Sequence, residues 1–289
     1  MPRCLIVYFS QGGSTAKVAE EIAGELRGKG YDIDVRSLTQ VSPQAVLGYD
    51  LVGLGSPVYA FGQPFNVVDL VRSLPDLNGR AAFLFNTYGT YAFDAGTRFA
   101  KLVKEKGARV LGYFACHGKG SYLGYAKVGW LFSASHPNQE DLQNARRFAL
   151  VVAAKAGGQG QHDGDESAGS PAPFIYRLER FFTNQWLTSR FYSRFFKADA
   201  SLCNRCGLCS RKCPTSNIGQ DDSGLPAWGR RCIGCLMCEM NCPKDAIRSP
   251  TADWAVIRPL LKYNVKVASA DPSLEAARAK HSRGKIVLV

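Results

Sequence analysis

Cysteine runs form the strongest chemical pattern in this sequence. Eight of the ten cysteines lie between residues 203 and 242. The chain reads CNRCGLCSRKCP over Cys203–Pro214 and CIGCLMCEMNCP over Cys232–Pro243, so each run has the spacing C-x2-C-x2-C-x3-C-P. The repeat continues to Ile218 and Ile247, which each follow the last cysteine of a run by five residues. Thiolates at such fixed short spacings indicate metal or redox chemistry.

The spacing favours iron–sulfur clusters over the other uses of clustered cysteines. Three cysteines at i, i+3 and i+6 wrap three corners of a [4Fe–4S] cube from one loop, and the fourth ligand comes from a remote point. Zinc is the alternative, but its sites need two C-x2-C pairs rather than two runs of four, each followed by Pro214 or Pro243. A disulfide framework does not fit a reducing compartment. Gly207 and Gly234 let the backbone approach the sulfides.

Residues 200–249 resemble the bacterial two-[4Fe–4S] ferredoxins. In that family the fourth cysteine of each run ligates the other cluster. The resemblance therefore implies that one cluster is held by Cys203, Cys206, Cys209 and Cys242. It implies that the other is held by Cys232, Cys235, Cys238 and Cys213. Such crossing would tie together a domain with little apolar core.

A second motif follows the first predicted strand, where the chain reads YFSQGGST over Tyr8–Thr15 and enters a helix. Hydroxyls, backbone N–H groups and a helix N-terminus together form an anion site. The loop has no lysine, which argues against a P-loop nucleotidase, and no G-x-G-x-x-G pattern. A phosphate held without a fixed cation suits FMN.

This loop resembles the flavodoxin phosphate loop, [ST]-x-T-G-x-T. Gly12 stands where that family usually has Thr, and Ser14 offers a replacement hydroxyl. The resemblance implies that the FMN phosphate is bound by Ser10, Gln11, Gly12, Gly13, Ser14 and Thr15. Two further loops are then expected beside the flavin. Their candidate residues are Ser56, Pro57, Val58 and Tyr59, then Asn86, Thr87, Tyr88, Gly89 and Tyr91. Tyr59, Tyr88 or Tyr91 is expected to stack on the ring.

Alternating short strands and helices predict the elements that position these loops. The strands are expected at Cys4–Phe9, Asp32–Leu38, Leu51–Gly55, Ala81–Asn86 and Arg109–Cys116. The helices are expected at Ser14–Gly28, Pro64–Ser73, Ala92–Lys106 and Pro137–Ala156, with Ser14 or Thr15 capping the first helix. Five strands in this order predict an α/β fold, a flavodoxin-like doubly wound parallel sheet with order 2-1-3-4-5, followed by a small two-[4Fe–4S] domain.

Composition suggests five segments. Residues 1–156 are the flavodoxin-like domain, and 157–173, rich in Gly, Ser and Pro, are a linker. Residues 174–199 are an amphipathic connecting helix with nine aromatics and four arginines between Phe174 and Phe196. The cluster domain covers 200–250, and a C-terminal extension covers 251–289.

Net charge and hydropathy indicate which partners the chain can bind and whether it spans a membrane. The formal net charge of +12 favours an acidic partner or an anionic surface. No run of about 18 apolar residues predicts a membrane span. The first strand begins at Cys4, close to the first residue, so we expect no signal peptide and a cytoplasmic location.

The whole arrangement resembles the fused flavodoxin–ferredoxin proteins. Similar residues in that family are Pro57-Val58-Tyr59, His136-Pro137 and Asn184-Gln185-Trp186. The resemblance implies electron transfer between FMN and two [4Fe–4S] clusters, linking a low-potential carrier to a partner redox enzyme. The alternative is a self-contained flavin oxidoreductase that reduces a quinone or similar acceptor, so whether the chain is an enzyme stays open. No catalytic acid–base constellation stands out.

We expect an acidic redox protein as partner and no nucleic acid, with peripheral membrane contact through Phe174–Phe196 as a weaker alternative.

Overall fold

A computed structural model describes residues 1–158, 169–250, 255 and 257–289. The chain divides into two compact units. The first contains Met1–Lys119 and Ser135–Leu178, and the second contains Gly120–Ala134 and Glu179–Val289. Most of the linker predicted over 157–173 lies outside the described residues, as do five residues at the start of the predicted C-terminal extension.

The first unit contains a five-stranded parallel sheet. Its strands are β1 (Arg3–Tyr8), β2 (Asp32–Ser37), β3 (Leu51–Pro57), β4 (Ala81–Tyr88) and β5 (Arg109–His117). Their order is β2-β1-β3-β4-β5, which confirms the predicted flavodoxin-like topology. Strands β3 and β4 each extend two residues beyond their predicted ends. The sheet therefore carries the residues after Gly55 and Asn86 further into the loops at its carboxyl edge.

Helices cover both faces of this sheet. The helices of the first half of the chain are α1 (Ser14–Gly28), α2 (Phe65–Ser73), α3 (Ala95–Lys104), α4 (Leu123–Lys127) and α5 (Gln139–Ala156). Helices α1 and α5 bury their apolar sides with the sheet in one cluster that includes Ile6, Ile22, Phe83, Phe85 and Phe148. Central parallel strands are apolar on both faces because helices cover both sides.

Helix α1 begins differently from the expectation that Ser14 or Thr15 caps it. The capping residue is Gly13, which has φ 90° and whose carbonyl accepts a hydrogen bond from Lys17 N at 2.9 Å. No side chain caps the helix. The Thr15 hydroxyl instead pairs with the Thr87 hydroxyl at 2.8 Å. Thr15 therefore ties the start of α1 to the end of β4.

Two glycines of β3 allow two aromatic rings of β4 to lie against the strand. A Cβ on Gly53 would lie 2.3 Å from Cζ of Phe83, and a Cβ on Gly55 would lie 2.2 Å from Cζ of Phe85. Both rings are fully buried. Only glycine permits such close approach of a ring to the backbone.

The second unit contains the cysteine runs on short elements. Its strands pair as β7 (Lys197–Ala198) with β10 (Ile247–Arg248) and as β8 (Ile218–Gln220) with β9 (Pro226–Trp228), both antiparallel. One short helix follows the second cysteine of each run, α7 (Leu208–Arg211) in the first and α8 (Met237–Met240) in the second. The two isoleucines that extend the sequence repeat are both buried, in β8 and β10.

The inserted segment Gly120–Ala134 and the C-terminal extension complete this unit. The insertion supplies α4 and β6 (Trp130–Phe132), and the extension supplies α9 (Arg258–Ser269), β11 (Ala276–Ser282) and β12 (Lys285–Leu288). Strand β11 pairs with both β12 and β6 in a three-stranded antiparallel sheet. The sequence assigns Gly120–Ala134 to the first domain, whereas the structure groups it with the cysteine runs.

The aromatic segment contains a shorter helix than the one predicted over 174–199. Helix α6 covers Phe174–Phe182 and is followed by a wide helical turn and a 3₁₀ turn up to Phe195. Asn184 explains the break because its amide nitrogen donates to Phe181 O at 2.6 Å and its amide oxygen accepts from Leu187 N at 3.0 Å. One side chain thus ends one helix and starts the next turn.

Among the described residues, no helix combines the length and the apolar character needed to cross a membrane.

The ring contacts of β3 make a prediction about stability. Gly53→Ala should lower the free energy of unfolding of the first unit by about 1–3 kcal/mol, because its Cβ overlaps Phe83 in a packed core. Gly24→Ala is the matched control, since Gly24 is exposed in α1 with no atom within 4 Å of an added Cβ. The control should be neutral or stabilising by up to about 1 kcal/mol. Urea unfolding followed by far-UV circular dichroism measures both, and equal effects would contradict the packing argument.

Candidate cofactor sites

Four cysteines from both runs line a first recess in the second unit. The recess measures about 480 Å³, is partly open to solvent, and collects three cysteines of the first run and the last cysteine of the second. They are Cys203, Cys206, Cys209 and Cys242. Gly207, which has φ 67°, and Ile247 also line it. This is the crossed set that the ferredoxin resemblance implies.

The complementary four cysteines line a second recess of about 320 Å³. They are Cys213, Cys232, Cys235 and Cys238. Phe196, Trp228 and Leu236 also line this recess, so its wall is more apolar than that of the first. Each recess therefore holds three thiols from one run and one from the other, as a four-cornered cluster requires. Within the described residues, no three Cys, His, Asp or Glu side chains form a site for one metal ion.

Backbone geometry repeats between the two runs as faithfully as the sequence does. Residues two and four positions after the first cysteine have positive φ in both runs, namely Arg205 (56°) and Gly207 (67°), then Gly234 (69°) and Leu236 (55°). Glycine occupies one such position in each run, and the non-glycine residues adopt the same left-handed conformation. Positive φ outside glycine is uncommon and needs surrounding structure to hold it.

The last cysteine of each run receives a backbone hydrogen bond. Asn217 N donates to Cys213 Sγ, and Ala246 N donates to Cys242 Sγ, both at 3.3 Å. Each donor follows its cysteine by four residues. N–H donors to sulfur stabilise a thiolate ligand, so both remote ligands are prepared in the same way.

The two recesses differ in their access to solvent. Cys206 of the first set is exposed, whereas Cys238 of the second is buried. Burial raises the pKa of Cys232 to about 11 and of Cys235 to about 12, and it raises the pKa of Cys238 well above its usual value. Deprotonation of these thiols in the apolar recess therefore depends on metal binding, which supplies compensating positive charge.

Trp228 brings a further donor to the second recess. Its indole N–H is buried without a hydrogen-bond partner among the described residues, and it lies close enough to Cys238 to lower the pKa of that thiol against the larger effect of burial. The ring stacks on Phe196 with centroids 5.5 Å apart. A buried donor beside a ligand thiol fits a sulfur of a bound cluster.

The first unit brings three loops together at the carboxyl edge of its sheet. Val58 N donates to Thr87 O at 2.9 Å, which joins the loop after β3 to the end of β4. The hydroxyl pair Thr15–Thr87 joins the end of β4 to the start of α1, directly after the phosphate loop. The predicted flavin-site residues lie on these three loops or in the ends of α1, β3 and β4 that flank them, and which of them contact the flavin stays a prediction.

The phosphate loop itself fits an anion. The Ser10 hydroxyl is buried without a hydrogen-bond partner in the described part of the chain. Gly12 and Gly13 are exposed, and α1 has no acidic residue in its first turn. Backbone N–H groups at a helix N-terminus and an unpaired hydroxyl suit the phosphate of FMN.

Two predicted residues have structural roles beneath the loops. Asn86 is fully buried, donates to Ser56 O at 2.7 Å and accepts from Tyr113 Oη at 3.1 Å. Ser56 is equally buried, and its hydroxyl donates to Pro57 O at 2.8 Å. These contacts fix the ends of β3 and β4 relative to each other.

The three candidate tyrosines have different surroundings. Tyr59 donates a hydrogen bond to Gln11, so it joins the loop after β3 to the phosphate loop. Tyr88 lies against His117 with ring centroids 4.5 Å apart. Tyr91 stacks on Phe93, 5.2 Å between centroids, in a cluster that includes Tyr176. Tyr91 therefore already has aromatic neighbours on the protein side, whereas Tyr59 and Tyr88 stand at the loop junctions.

The loop after β5 also reaches these loops, although none of its residues is among the predicted site residues. Gly118 N donates to Tyr88 O at 2.9 Å, and Lys119 N donates to Ser14 Oγ at 3.2 Å. A Cβ on Gly118 would lie 2.8 Å from Cβ of Ser14. The only signal in the sequence is the glycine-rich run that begins at Gly118.

Comparisons with known proteins agree with this geometry. A family model for a flavodoxin domain matches residues 5–131, and a model for a 4Fe-4S dicluster domain matches residues 202–247. The chain is a fused flavodoxin–ferredoxin protein.

Individual relatives and solved structures are similar to about half of the chain. An uncharacterized protein of Methanocaldococcus jannaschii is 34% identical over 154 residues, which cover 52% of this chain and 97% of the relative. A flavodoxin structure from the domain Archaea has 21% identity and a TM-score of 0.44, covering 54% of this chain and 99% of its own. Flavodoxin 2 from Bacillus cereus has 22% identity and a TM-score of 0.44, covering 53% and 99%.

The two domains define the cofactors of the fused flavodoxin–ferredoxin protein. The flavodoxin domain binds FMN, and the dicluster domain binds [4Fe–4S] clusters, consistent with one in each cysteine-lined recess. This pair of domains gives the protein a role in electron transfer.

The crossed cysteine sets predict the iron content of variants. Cys203→Ala/Cys242→Ala removes two ligands of one recess and should leave about four of about eight irons. Cys213→Ala/Cys242→Ala removes one ligand from each recess and should lose most of both clusters. Iron and sulfide analysis after anaerobic reconstitution measures this. If each run instead bound its own cluster, Cys203→Ala/Cys213→Ala would be the variant that keeps half of the iron.

The indole of Trp228 predicts a change in one reduction potential. Trp228→Phe keeps a ring against Phe196 but removes the N–H donor. Hydrogen bonds to sulfur favour the more negative reduced state, so the potential of one cluster should fall while that of the other stays unchanged. Redox titration followed by EPR measures both. Trp130→Phe is the control because Trp130 packs against Arg278 away from the cysteines. An unchanged pair of potentials would contradict the role of the donor.

Proposed function

We propose that this protein passes electrons between FMN and two [4Fe–4S] clusters and so links a low-potential carrier to a partner redox enzyme. When bound, the flavin supplies one- and two-electron exchange and each cluster supplies one-electron exchange. The observation that carries the proposal is the pair of recesses, each lined by one crossed set of four cysteines.

The first recess is the better candidate for contact with a protein partner. Cys206 is exposed, and Arg205 at the same rim is exposed as well. Arg205 Nε donates to Ser223 O at 3.0 Å, which fixes the guanidinium at this rim. A cluster ligand at the surface shortens the distance to an external carrier, and a positive rim attracts an acidic one.

The second recess suits an internal position in the same route. Its thiols are more buried, and Leu123 and Ala126 of α4 share a buried apolar cluster with Leu236 and Cys238 of this recess. Lys127 at the end of α4 forms an ion pair with Glu239 of α8, which is buried beside Cys238. An apolar wall excludes water and separates the second set of cysteines from external carriers.

Residues of the first unit bind FMN in the proposed electron-transfer path. The phosphate loop and its unpaired Ser10 hydroxyl bind the anion, and the Thr15–Thr87 pair holds two loops in register. Tyr59 and Tyr88 stand where rings can cover the isoalloxazine.

The charge of the chain supports an acidic redox protein as partner, since the formal net charge is +12. We place this exchange in the cytoplasm and assign no nucleic acid to it. Low-potential carriers and reduced clusters are compatible with that compartment.

The proposal predicts how electron transfer responds to ionic strength. The loaded protein, with about eight irons and one FMN, should accept electrons from an acidic ferredoxin in stopped-flow experiments, and the rate should fall as salt rises. Arg205→Gln should slow the reaction severalfold at low salt, because a rim charge acts on association. Arg147→Gln, on the exposed side of α5 in the first unit, is the matched control and should leave the rate unchanged.

Other outcomes would contradict parts of the proposal. Rates that do not depend on salt would exclude electrostatic docking of an acidic carrier. Rapid turnover of a small quinone without a protein acceptor would favour a self-contained oxidoreductase. Zinc in place of iron after anaerobic purification would overturn electron transfer through the cysteine recesses.

A further inference from the structure

The aromatic segment of the second unit presents large apolar side chains to solvent. Phe181 and Trp186 are each 65% exposed, and Phe182 is 51% exposed. The aromatic–arginine surface consists of Phe181, Phe182, Trp186, Arg190, Phe191 and Arg194, all of them exposed. These residues follow one another along the end of α6 and the wide and 3₁₀ turns after it. Exposed apolar patches of this kind mark interaction sites.

The charge of this surface is uniformly positive. Between Phe174 and Phe196 the sequence has four arginines and a single acidic residue, Glu179. Glu179 is half-buried, and its carboxylate accepts a hydrogen bond from Asn264 Nδ2 at 3.0 Å. Among residues 174–196, all of which the structure describes, the exposed side chains therefore include aromatic rings and arginines and no carboxylate.

The opposite face of the segment is already used in packing. Thr188 and Ser193 are buried, and an added Cβ on Gly234 would lie 3.0 Å from Cγ2 of Thr188. Phe196, at the end of the segment, is buried and lines the second cysteine recess. Thr188 thus lies against the second cysteine run, whereas Phe181, Phe182 and Trp186 are exposed.

We propose that the aromatic–arginine surface docks the protein on an anionic lipid bilayer. Phe and Trp side chains partition into the boundary between headgroups and acyl chains, and arginines bind anionic headgroups. The rings protrude, as the 65% exposure of Phe181 and Trp186 records. A fluid bilayer closes around protruding side chains, whereas a folded partner needs a preformed pocket for each of them. The lack of acidic residues on this face matches an anionic surface.

Docking of this kind places the second cluster site next to the lipid. The segment that carries the exposed rings packs on Gly234 between two ligand cysteines. A bilayer bound to the outward face would therefore lie one helical segment away from the second recess. The docking proposal does not rest on the direction or the partner of electron transfer, and it can fail while the proposed function holds.

Vesicle flotation of the loaded, full-length protein tests the proposal. Protein should float with vesicles of phosphatidylcholine and phosphatidylglycerol, should bind pure phosphatidylcholine much less, and should dissociate at high salt. Arg190→Gln/Arg194→Gln should weaken binding roughly twentyfold, about fivefold for each arginine. Phe181→Ser/Phe182→Ser/Trp186→Ser should weaken it by at least about tenfold.

Matched controls separate docking from folding and from overall charge. Arg27→Gln/Arg147→Gln removes two exposed arginines of the first unit, and Leu150→Ser/Val151→Ser removes exposed apolar side chains of α5. Both controls should float like the wild type. Iron content and visible spectra show whether each variant is folded. If the triple variant fails to fold, the arginine pair still tests the proposal.

Tryptophan fluorescence gives a second measurement on the wild-type protein. Vesicles that contain brominated lipid should quench fluorescence in the wild type, and Trp186→Phe should lose most of that quenching while it still floats. No flotation, equal binding to neutral vesicles, or normal binding by both surface variants would overturn the proposal. So would a wild-type dimer that the triple variant converts to monomer without any vesicle binding, because the surface would then join two copies of the chain.

Discussion

Exchange of the fourth cysteine between the two runs is the constraint on which the second unit depends. Each recess needs three thiols from one loop and one thiol that arrives from the other run. The two runs must therefore fold together, since neither set of four is complete without the other. The matching φ angles at Arg205 and Gly234 and at Gly207 and Leu236 follow from this requirement, because both loops must wrap a body of the same shape. Cluster binding then supplies cohesion that short strands and four-residue helices do not provide.

The same constraint explains why the two sites, although built from one repeat, are not equivalent. The repeated sequence determines the cysteine ligands and the backbone N–H groups that donate to them. Residues outside the repeat form the outer wall of each recess. Phe196 and Trp228 line the second recess, whereas Cys206 stays exposed in the first. Burial disfavours added negative charge, and hydrogen bonds to sulfur favour it. Identical ligand spacing thus gives two electrostatic environments within a single small unit.

Much of the fold and of the cluster site follows from the sequence, for identifiable reasons. Five apolar runs separated by helical patterns match the flavodoxin-like sheet order, and the resemblance of the cysteine runs to two-cluster ferredoxins predicts the grouping of thiols that the recesses show. The sequence does not predict that Gly120–Ala134 joins the second unit, because pairing of β6 with β11 joins residues more than 140 positions apart and leaves no local signal. Capping of α1 by Gly13 was missed for a related reason: Thr15, a good cap by type, is held by Thr87 of a distant strand.

The aromatic segment contributes both to the surface of the second unit and to the wall of the second cysteine recess. Thr188 lies against Gly234 of the second cysteine run, and Phe196 of the same segment lines the second recess, whereas Phe181, Phe182 and Trp186 are exposed. A larger residue at Thr188 would separate the segment from the cysteine run, and smaller residues on the outer face would leave nothing for a surface to bind. The segment therefore has two roles. Its buried side chains pack beside the second recess, and its exposed side chains form the apolar, positively charged aromatic–arginine surface. The exposed rings and the Phe196 side chain that lines the second recess therefore belong to one short segment.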